Sequence, residues 1–208
     1  MTICLVTDRR RRLPFDQAAE AVDAGVDLIQ IREPGLEAAE LATLVTQVVR
    51  VAEGSRTRVV VNDRLDVAMA CGAHGVHLRG DSVPPARARS IAVPGFLIGR
   101  SVHGVSEAAE VAPHVDYVIA GTVFPTSSKP GRTELLGLNG LSAIAAAVRV
   151  PVLAIGGITM DRVGEIARNG AAGVAAVSLF TDAEQPIKEV IRALRARFTI
   201  SGDFSSSA

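Results

Sequence analysis

Eight short apolar runs, each followed by a longer stretch that fits a helix, constrain this chain more than any other feature. The runs are Ile3–Val6, Leu28–Ile31, Val59–Val61, Gly75–Leu78, Leu97–Gly99, Tyr117–Ala120, Val152–Ile155 and Gly173–Val177. They are continuously apolar rather than alternating, as strands of a parallel sheet covered on both faces are. Helical spacing lies between them. The stretch Leu36–Glu53 carries Leu36, Ala39, Leu41, Leu44, Val45 and Val48 largely on one side, and Ile187, Val190, Ile191 and Leu194 repeat the spacing near the end. The junctions recur too. Gly25, Gly72 and Gly170 each stand shortly before a strand, where glycine supplies the left-handed cap of the preceding helix.

Eight strand-then-helix units in 208 residues predict an α/β chain folded as a single (β/α)8 TIM barrel. The competing topology is an open doubly wound sheet. Its dinucleotide-binding form needs a glycine-rich turn after the first strand, where this chain has Asp8 and Arg9–Arg12. No linker or composition shift interrupts residues 1–197, so one domain is expected there. Residues 198–208 read as a polar, disordered tail.

Composition removes several function classes. Lys plus Arg equals Asp plus Glu at 22 each, so the chain is no polycation, and aromatics at 3% are too few for a base-stacking platform. Nucleic acid is therefore not an expected partner. Two cysteines, Cys4 and Cys71, make neither a disulfide framework nor a thiolate metal site and read as small buried hydrophobes. The apolar start is too short for a signal peptide, and no stretch reaches the length of a membrane span. A cytoplasmic location is expected, with no membrane partner and with room for a homo-oligomer.

In a barrel of this kind the site lies at the carboxyl ends of the strands. Polar residues gather where that rule asks for them. Thr7 and Asp8 follow the first run, Arg32 and Glu33 the second, Asn62 and Asp63 the third, Arg79 and Asp81 the fourth, and Ser101 and His103 the fifth. The long loop Thr122–Gly137 follows the sixth, Gly156-Gly157 the seventh and Ser178 the eighth. Polar residues commonly end strands, which accounts for Asp8 and Asp81. It accounts less well for a ring holding Arg32, Asp63 and Lys129.

Gly156-Gly157-Ile158-Thr159 leads toward a helix near Met160, and Val177-Ser178 toward one beyond Thr181 or Asp182. Exposed amides at helix starts attract anions, and the last two loops of this barrel recurrently hold phosphate. The sixth loop offers the hydroxyls of Thr126, Ser127 and Ser128 and the ammonium of Lys129, which suit a second anion such as a diphosphate. Asp63 has two uses open to it, holding a divalent cation against that diphosphate or capping a helix near Leu65. The histidines carry little. His74 and His114 read as surface residues away from the site end, His77 as packed inside a strand, and His103 as a helix cap.

Taken in order, Gln30-Ile31-Arg32-Glu33, Val61-Asn62-Asp63-Arg64-Leu65-Asp66, Gly75-Val76-His77-Leu78, Gly99-Arg100-Ser101-Val102-His103, Gly121-Thr122-Val123-Phe124-Pro125-Thr126, Ala154-Ile155-Gly156-Gly157-Ile158 and Gly173-Val174-Ala175-Ala176-Val177-Ser178 resemble the thiamine-phosphate synthase superfamily, which includes the TenI-type thiazole tautomerases. The resemblance spans about residues 3 to 197. It implies a thiamine-biosynthetic enzyme, a transferase that joins hydroxymethylpyrimidine diphosphate to thiazole phosphate and releases diphosphate. It also implies magnesium as cofactor. Gln30, Arg32, Asn62, Asp63, Ser101 and Lys129 match the pyrimidine-diphosphate site, with Arg32, Ser101 and Lys129 as the catalytic candidates. Thr126 and Ser128 match the loop at the thiazole partner. Gly156, Gly157, Val177 and Ser178 match the thiazole-phosphate pocket, with Thr122 beside it. Asp63 matches a magnesium ligand.

The departures from the family pattern fall inside the same motifs. The Arg-Glu-Lys triplet is here Arg32-Glu33-Pro34, which loses an ammonium. The second magnesium carboxylate is replaced by Ser82, so Asp81 would have to take its role from one position away. Arg79 is expected to return part of the missing positive charge to the diphosphate. The tautomerase histidine of the sixth motif is Thr122, which cannot carry a proton near neutral pH. Retained Asp63 and Lys129 place synthase chemistry first. A TenI-like tautomerase, a non-catalytic, regulatory binder of thiazole phosphate or thiamine phosphate, and a phosphosugar isomerase or epimerase on the same barrel are the alternatives.

Overall fold

The eight apolar runs form eight parallel strands: β1 (Thr2–Val6), β2 (Leu28–Ile31), β3 (Arg58–Asn62), β4 (Gly75–Leu78), β5 (Leu97–Val102), β6 (Tyr117–Gly121), β7 (Val152–Ile155) and β8 (Gly173–Ala176). They pair in sequence order, and β1 closes on β8 through the register Thr2↔Gly173 to Leu5↔Ala176, so the sheet is a closed barrel. The structure is a computed structural model that describes residues 1–126, 134–182 and 185–202. The helices are α1 (Pro14–Asp23), α2 (Ala38–Ala52), α3 (Leu65–Ala70), α4 (Pro85–Ile91), α5 (Val105–Val111), α6 (Gly137–Ala147), α7 (Val163–Arg168), α8 (Ser178–Thr181) and α9 (Ile187–Gly202). Among the described residues no helix is long and apolar enough to cross a membrane.

The strands are apolar throughout because each has two faces to bury. On β1, Ile3 and Leu5 pack outward against the helices, whereas Cys4 and Val6 turn inward to meet Leu28, Val60, Tyr117, Ile119, Leu153 and Ala175. The barrel is thus a filled core with its openings at the strand ends. Helix α2 begins two residues inside the expected stretch, after a capping box between Glu37 and Glu40, and buries Leu41, Val45, Val48 and Ala52. Gly25, Gly72 and Gly170 adopt positive φ of 77°, 67° and 83°, the left-handed caps their positions predict. Below the barrel, Asp27 accepts the Ile3 N–H at 2.8 Å and pairs with Arg56 at 2.6 Å and Arg195 at 2.9 Å, tying the first strand to the last helix.

Beyond shifts of one or two residues at other ends, three boundaries differ from the sequence expectation. Strand β5 runs on through Arg100, Ser101 and Val102, because backbone pairing with Val118, Ile119 and Ala120 is indifferent to the polar side chains it carries. The helix after β8 begins at Ser178 itself rather than beyond Thr181, since the Phe180 and Thr181 N–H groups already donate to the Val177 carbonyl. The last helix continues to Gly202, past the residue 197 at which the sequence closes the barrel, and residues 203–208 lie outside the described residues.

Candidate active site

The carboxyl ends of β1, β2, β6, β7 and β8 enclose a cavity of about 230 Å³. Its walls bring together Arg32, Thr122, Thr126, Gly156, Gly157, Val177 and Ser178 from the expected set. They also include Asp8, Arg10 and Pro34.

One end of this cavity is backbone. Gly156 and Gly157 have φ of 100° and 62°, conformations open to glycine, and so let the chain turn with its amides exposed. The N–H groups of Gly157, Ile158, Ser178 and Leu179 meet no acceptor among the described residues. Four unspent donors from two adjacent loops suit an anion. Phe124 and Pro125 lie so near that a Cβ on Gly157 would be 2.4 Å from the Pro125 carbonyl oxygen.

The other end is a guanidinium. The Arg32 backbone N–H donates to Thr7 Oγ1 at 3.0 Å, while its side chain has no acceptor among the described residues. Buried Glu33 holds the adjoining strand ends, taking the Thr7 hydroxyl at 2.5 Å and the Arg9 N–H at 3.0 Å. Burial raises the Glu33 carboxyl above its ordinary value, and these hydrogen bonds oppose the rise. Asp8 is also buried, but Arg10 grips it with Nε at 2.9 Å and Nη2 at 2.7 Å and holds its carboxyl below the usual range. Of the two guanidinium groups that line the cavity among the described residues, Arg32 is therefore the one open to a ligand, and Arg10 is already committed. Pro34 lines the same wall and brings no charge to it.

A second grouping crosses the ends of β2 to β5. Gln30 donates to Asn62 Oδ1 at 2.9 Å. Asp63 sits at φ 64°, an uncommon conformation for a residue with a side chain, and its N–H donates to the His77 carbonyl at 2.9 Å. Helix α3 has Arg64 at its N-cap with no side-chain capping bond, so Asp63 does not cap it. Instead the Asp63 carboxylate accepts the Ser82 hydroxyl and lies 3.6 Å from Arg79, which also binds Asp81 at 2.5 Å. The Arg79 guanidinium is thus shared between the two carboxylates. Asp81, expected on a metal, is turned outward onto Arg79.

Among the described residues no three His, Cys, Asp or Glu side chains cluster as a metal site. The donor set nonetheless fits one kind of magnesium ion. Asp63 and Ser82 present oxygens, and the Asp63–Arg79–Asp81 group keeps one net negative charge. Magnesium commonly takes one or two carboxylates and draws its remaining ligands from water and substrate phosphate. The fit is to a cation brought in by a phosphorylated ligand.

His77 is inside the barrel, as its strand position predicts, bonded to Ser101 Oγ at 2.9 Å and to the Tyr117 hydroxyl at 3.3 Å. Burial, and then nearby Arg100, push its pKa down to about 3. His103 does not cap. Helix α5 starts after Gly104, and the His103 ring bonds the Gly121 carbonyl. His74 is half-buried rather than a surface residue, because its Nδ1 accepts the Val59 N–H at 3.0 Å. Lys129 and Ser128 lie outside the described residues. Arg10 lines the cavity although the sequence does not single it out, and Asp8, which the sequence places at the site end but explains as a strand ending, lines it too. Their spacing of two recurs in Arg64–Asp66 and Arg79–Asp81, both outward-facing, so spacing alone does not mark a cavity.

The family profile described as thiamine monophosphate synthase matches residues 3–180. A thiamine-phosphate synthase from Chlorobium luteolum is 38% identical over 195 residues, covering 93% of this chain and 91% of that protein. One from Methanoculleus marisnigri is 40% identical over 197 residues and covers 93% of each. Among solved structures, a thiamine phosphate pyrophosphorylase from Pyrococcus furiosus superposes with a TM-score of 0.86 at 32% identity, covering 96% of both chains.

Proposed function

Since the chain belongs to the thiamine monophosphate synthase family, we propose that it joins hydroxymethylpyrimidine diphosphate to thiazole phosphate, giving thiamine phosphate and diphosphate. One observation carries the reading. A single cavity is lined by Gly157, Ile158 and Ser178, whose amides meet no acceptor among the described residues, and by Arg32, whose guanidinium has no acceptor among the described residues either. Two anionic reactants held at opposite ends would meet between them.

The thiazole phosphate takes the amide end, and Thr126 and Thr122 flank its ring. The pyrimidine diphosphate lies toward Arg32, Gln30, Asn62 and Ser101. The carbon–oxygen bond to the diphosphate breaks and its electron pair leaves with the diphosphate. The thiazole nitrogen then gives its lone pair to the pyrimidine methylene carbon. Arg32 stabilises the departing charge, and Lys129 joins it by family likeness. Thr122 and the glycine loops fix the nucleophile in line, where orientation accelerates the step most. Asp63, with Ser82 beside it, would hold magnesium, and Asp81 would join once released from Arg79. The ion supplies charge neutralisation for the diphosphate.

Purified protein given both substrates and magnesium should release one diphosphate for each thiamine phosphate formed. Intact thiazole-phosphate binding with no product would overturn the reading in favour of a binding protein. Isomerisation of a thiazole carboxylate phosphate without any pyrimidine substrate would favour a tautomerase.

A further inference from the structure

Three polar side chains are joined across neighbouring barrel strands: Tyr117 on β6, His77 on β4 and Ser101 on β5. Strand β5 lies between the first two, with Gly99 in register with both His77 and Tyr117. A Cβ on Gly99 would stand 2.4 Å from the Tyr117 hydroxyl oxygen, so the missing side chain is what lets the phenol reach over β5. The rings approach to 5.7 Å at 29°. Tyr117 and His77 are buried, whereas Ser101, two residues further toward the mouth, is half-exposed.

We infer that Tyr117 and His77 are positioning residues that lock Ser101 as a hydrogen-bond donor toward the ligand. The argument is a count of donors. The Tyr117 hydroxyl has one partner among the described residues, His77 Nδ1. Burial keeps the phenol protonated, so it has a proton to place. If Nδ1 carried a hydrogen, Tyr117 would have to accept it, and the phenol's own proton would be left buried without a partner, the costlier arrangement. Tyr117 therefore donates to Nδ1. With Nδ1 accepting, the one ring proton sits on Nε2 and donates to Ser101 Oγ at 2.9 Å. With that oxygen accepting from inside, the Ser101 proton is free to point into the mouth. The ligand atom it meets must carry a lone pair, as a phosphate oxygen or a pyrimidine ring nitrogen does. Only this last step rests on the proposed reaction.

The test is long-range 1H–15N imidazole spectroscopy on the ligand-free protein, with His77 assigned by its loss in His77→Gln. The wild type should show His77 in the Nε2–H tautomer alone. Tyr117→Phe, which keeps the ring in place, should make the Nδ1–H form detectable. A wild-type Nδ1–H tautomer would overturn the inference, as would a Tyr117→Phe spectrum identical to wild type. Neither result depends on turnover, so a failure to release diphosphate would sink the proposed reaction and leave this one standing.

Discussion

Replacing Gly157 with alanine should damage the amide end of the cavity in two separable ways. The first is conformational. Gly157 has φ 62°, and a side chain in that region costs about 1–2 kcal/mol. The second is steric. The new Cβ would lie 2.4 Å from the Pro125 carbonyl oxygen and 2.8 Å from Phe124 Cβ, where ordinary contact begins at 3.4 Å, so the loop must open by about 1 Å. Overpacking of that kind costs about 1–3 kcal/mol. Gly72→Ala isolates the first term, because Gly72 has φ 67° and nothing within 4 Å of its Cβ position. Urea unfolding should therefore show Gly72→Ala losing about 1–2 kcal/mol and Gly157→Ala about 2–5 kcal/mol. Calorimetry with thiamine phosphate should show affinity reduced at least about tenfold in Gly157→Ala, roughly the loss of one charge-assisted hydrogen bond, and unchanged in Gly72→Ala. Wild-type affinity in a folded Gly157→Ala variant would refute the view that these amides hold the ligand.

Removing the guanidinium in Arg79→Ala leaves Asp63 and Asp81 without a shared counter-charge. Manganese titration without substrate should show about tenfold tighter binding, a modest gain because the groups are half-exposed, and unchanged affinity would mean the pair is not a cation site. The folded pKa of His77, about 3, lies below the unfolded value near 6.5. Unfolding therefore takes up a proton between these two values, and the stability contributed by the neutral ring, up to about 5 kcal/mol, is lost as pH falls from about 6.5 toward 3. Urea unfolding at pH 7 and pH 4 should show a shallower acid loss in His77→Gln, and an identical slope would count against a buried neutral ring. Asp27→Asn should lower stability by about 1 kcal/mol, since it keeps an oxygen for the Ile3 N–H and loses half-exposed ion pairs. Ligand affinity should not move, because Asp27 is at the far end of the barrel, and a fall in affinity would contradict that separation.

The strands were legible because a closed parallel barrel buries both faces of every strand, which leaves unbroken apolar runs. The same rule misled at β5. Arg100 and Ser101 look like an ending, yet both are paired, one directed outward to the Gly80 carbonyl and the other inward to His77. The two glycines at 156 and 157 announced a tight turn, and both adopt positive φ, where a Cβ is disfavoured. The partners of Arg79 were not legible. Sequence shows a positive charge near the mouth, but which carboxylate it satisfies depends on the turn that brings Ser82 onto Asp63. The line from Tyr117 to His77 spans forty positions of sequence. Its one trace in the sequence is the chain's single tyrosine in a strand beside one that begins Leu97-Ile98-Gly99.

The central claim is that one cavity holds two anionic reactants at opposite ends. A crystal structure with thiamine phosphate bound addresses it most directly. The phosphate should lie within hydrogen-bond distance of the Gly157, Ile158 and Ser178 amides, with the pyrimidine directed toward Arg32 and Ser101. A phosphate seated in the outer groove beside Met160 and Gln185, or a pyrimidine turned away from Arg32, would contradict the account.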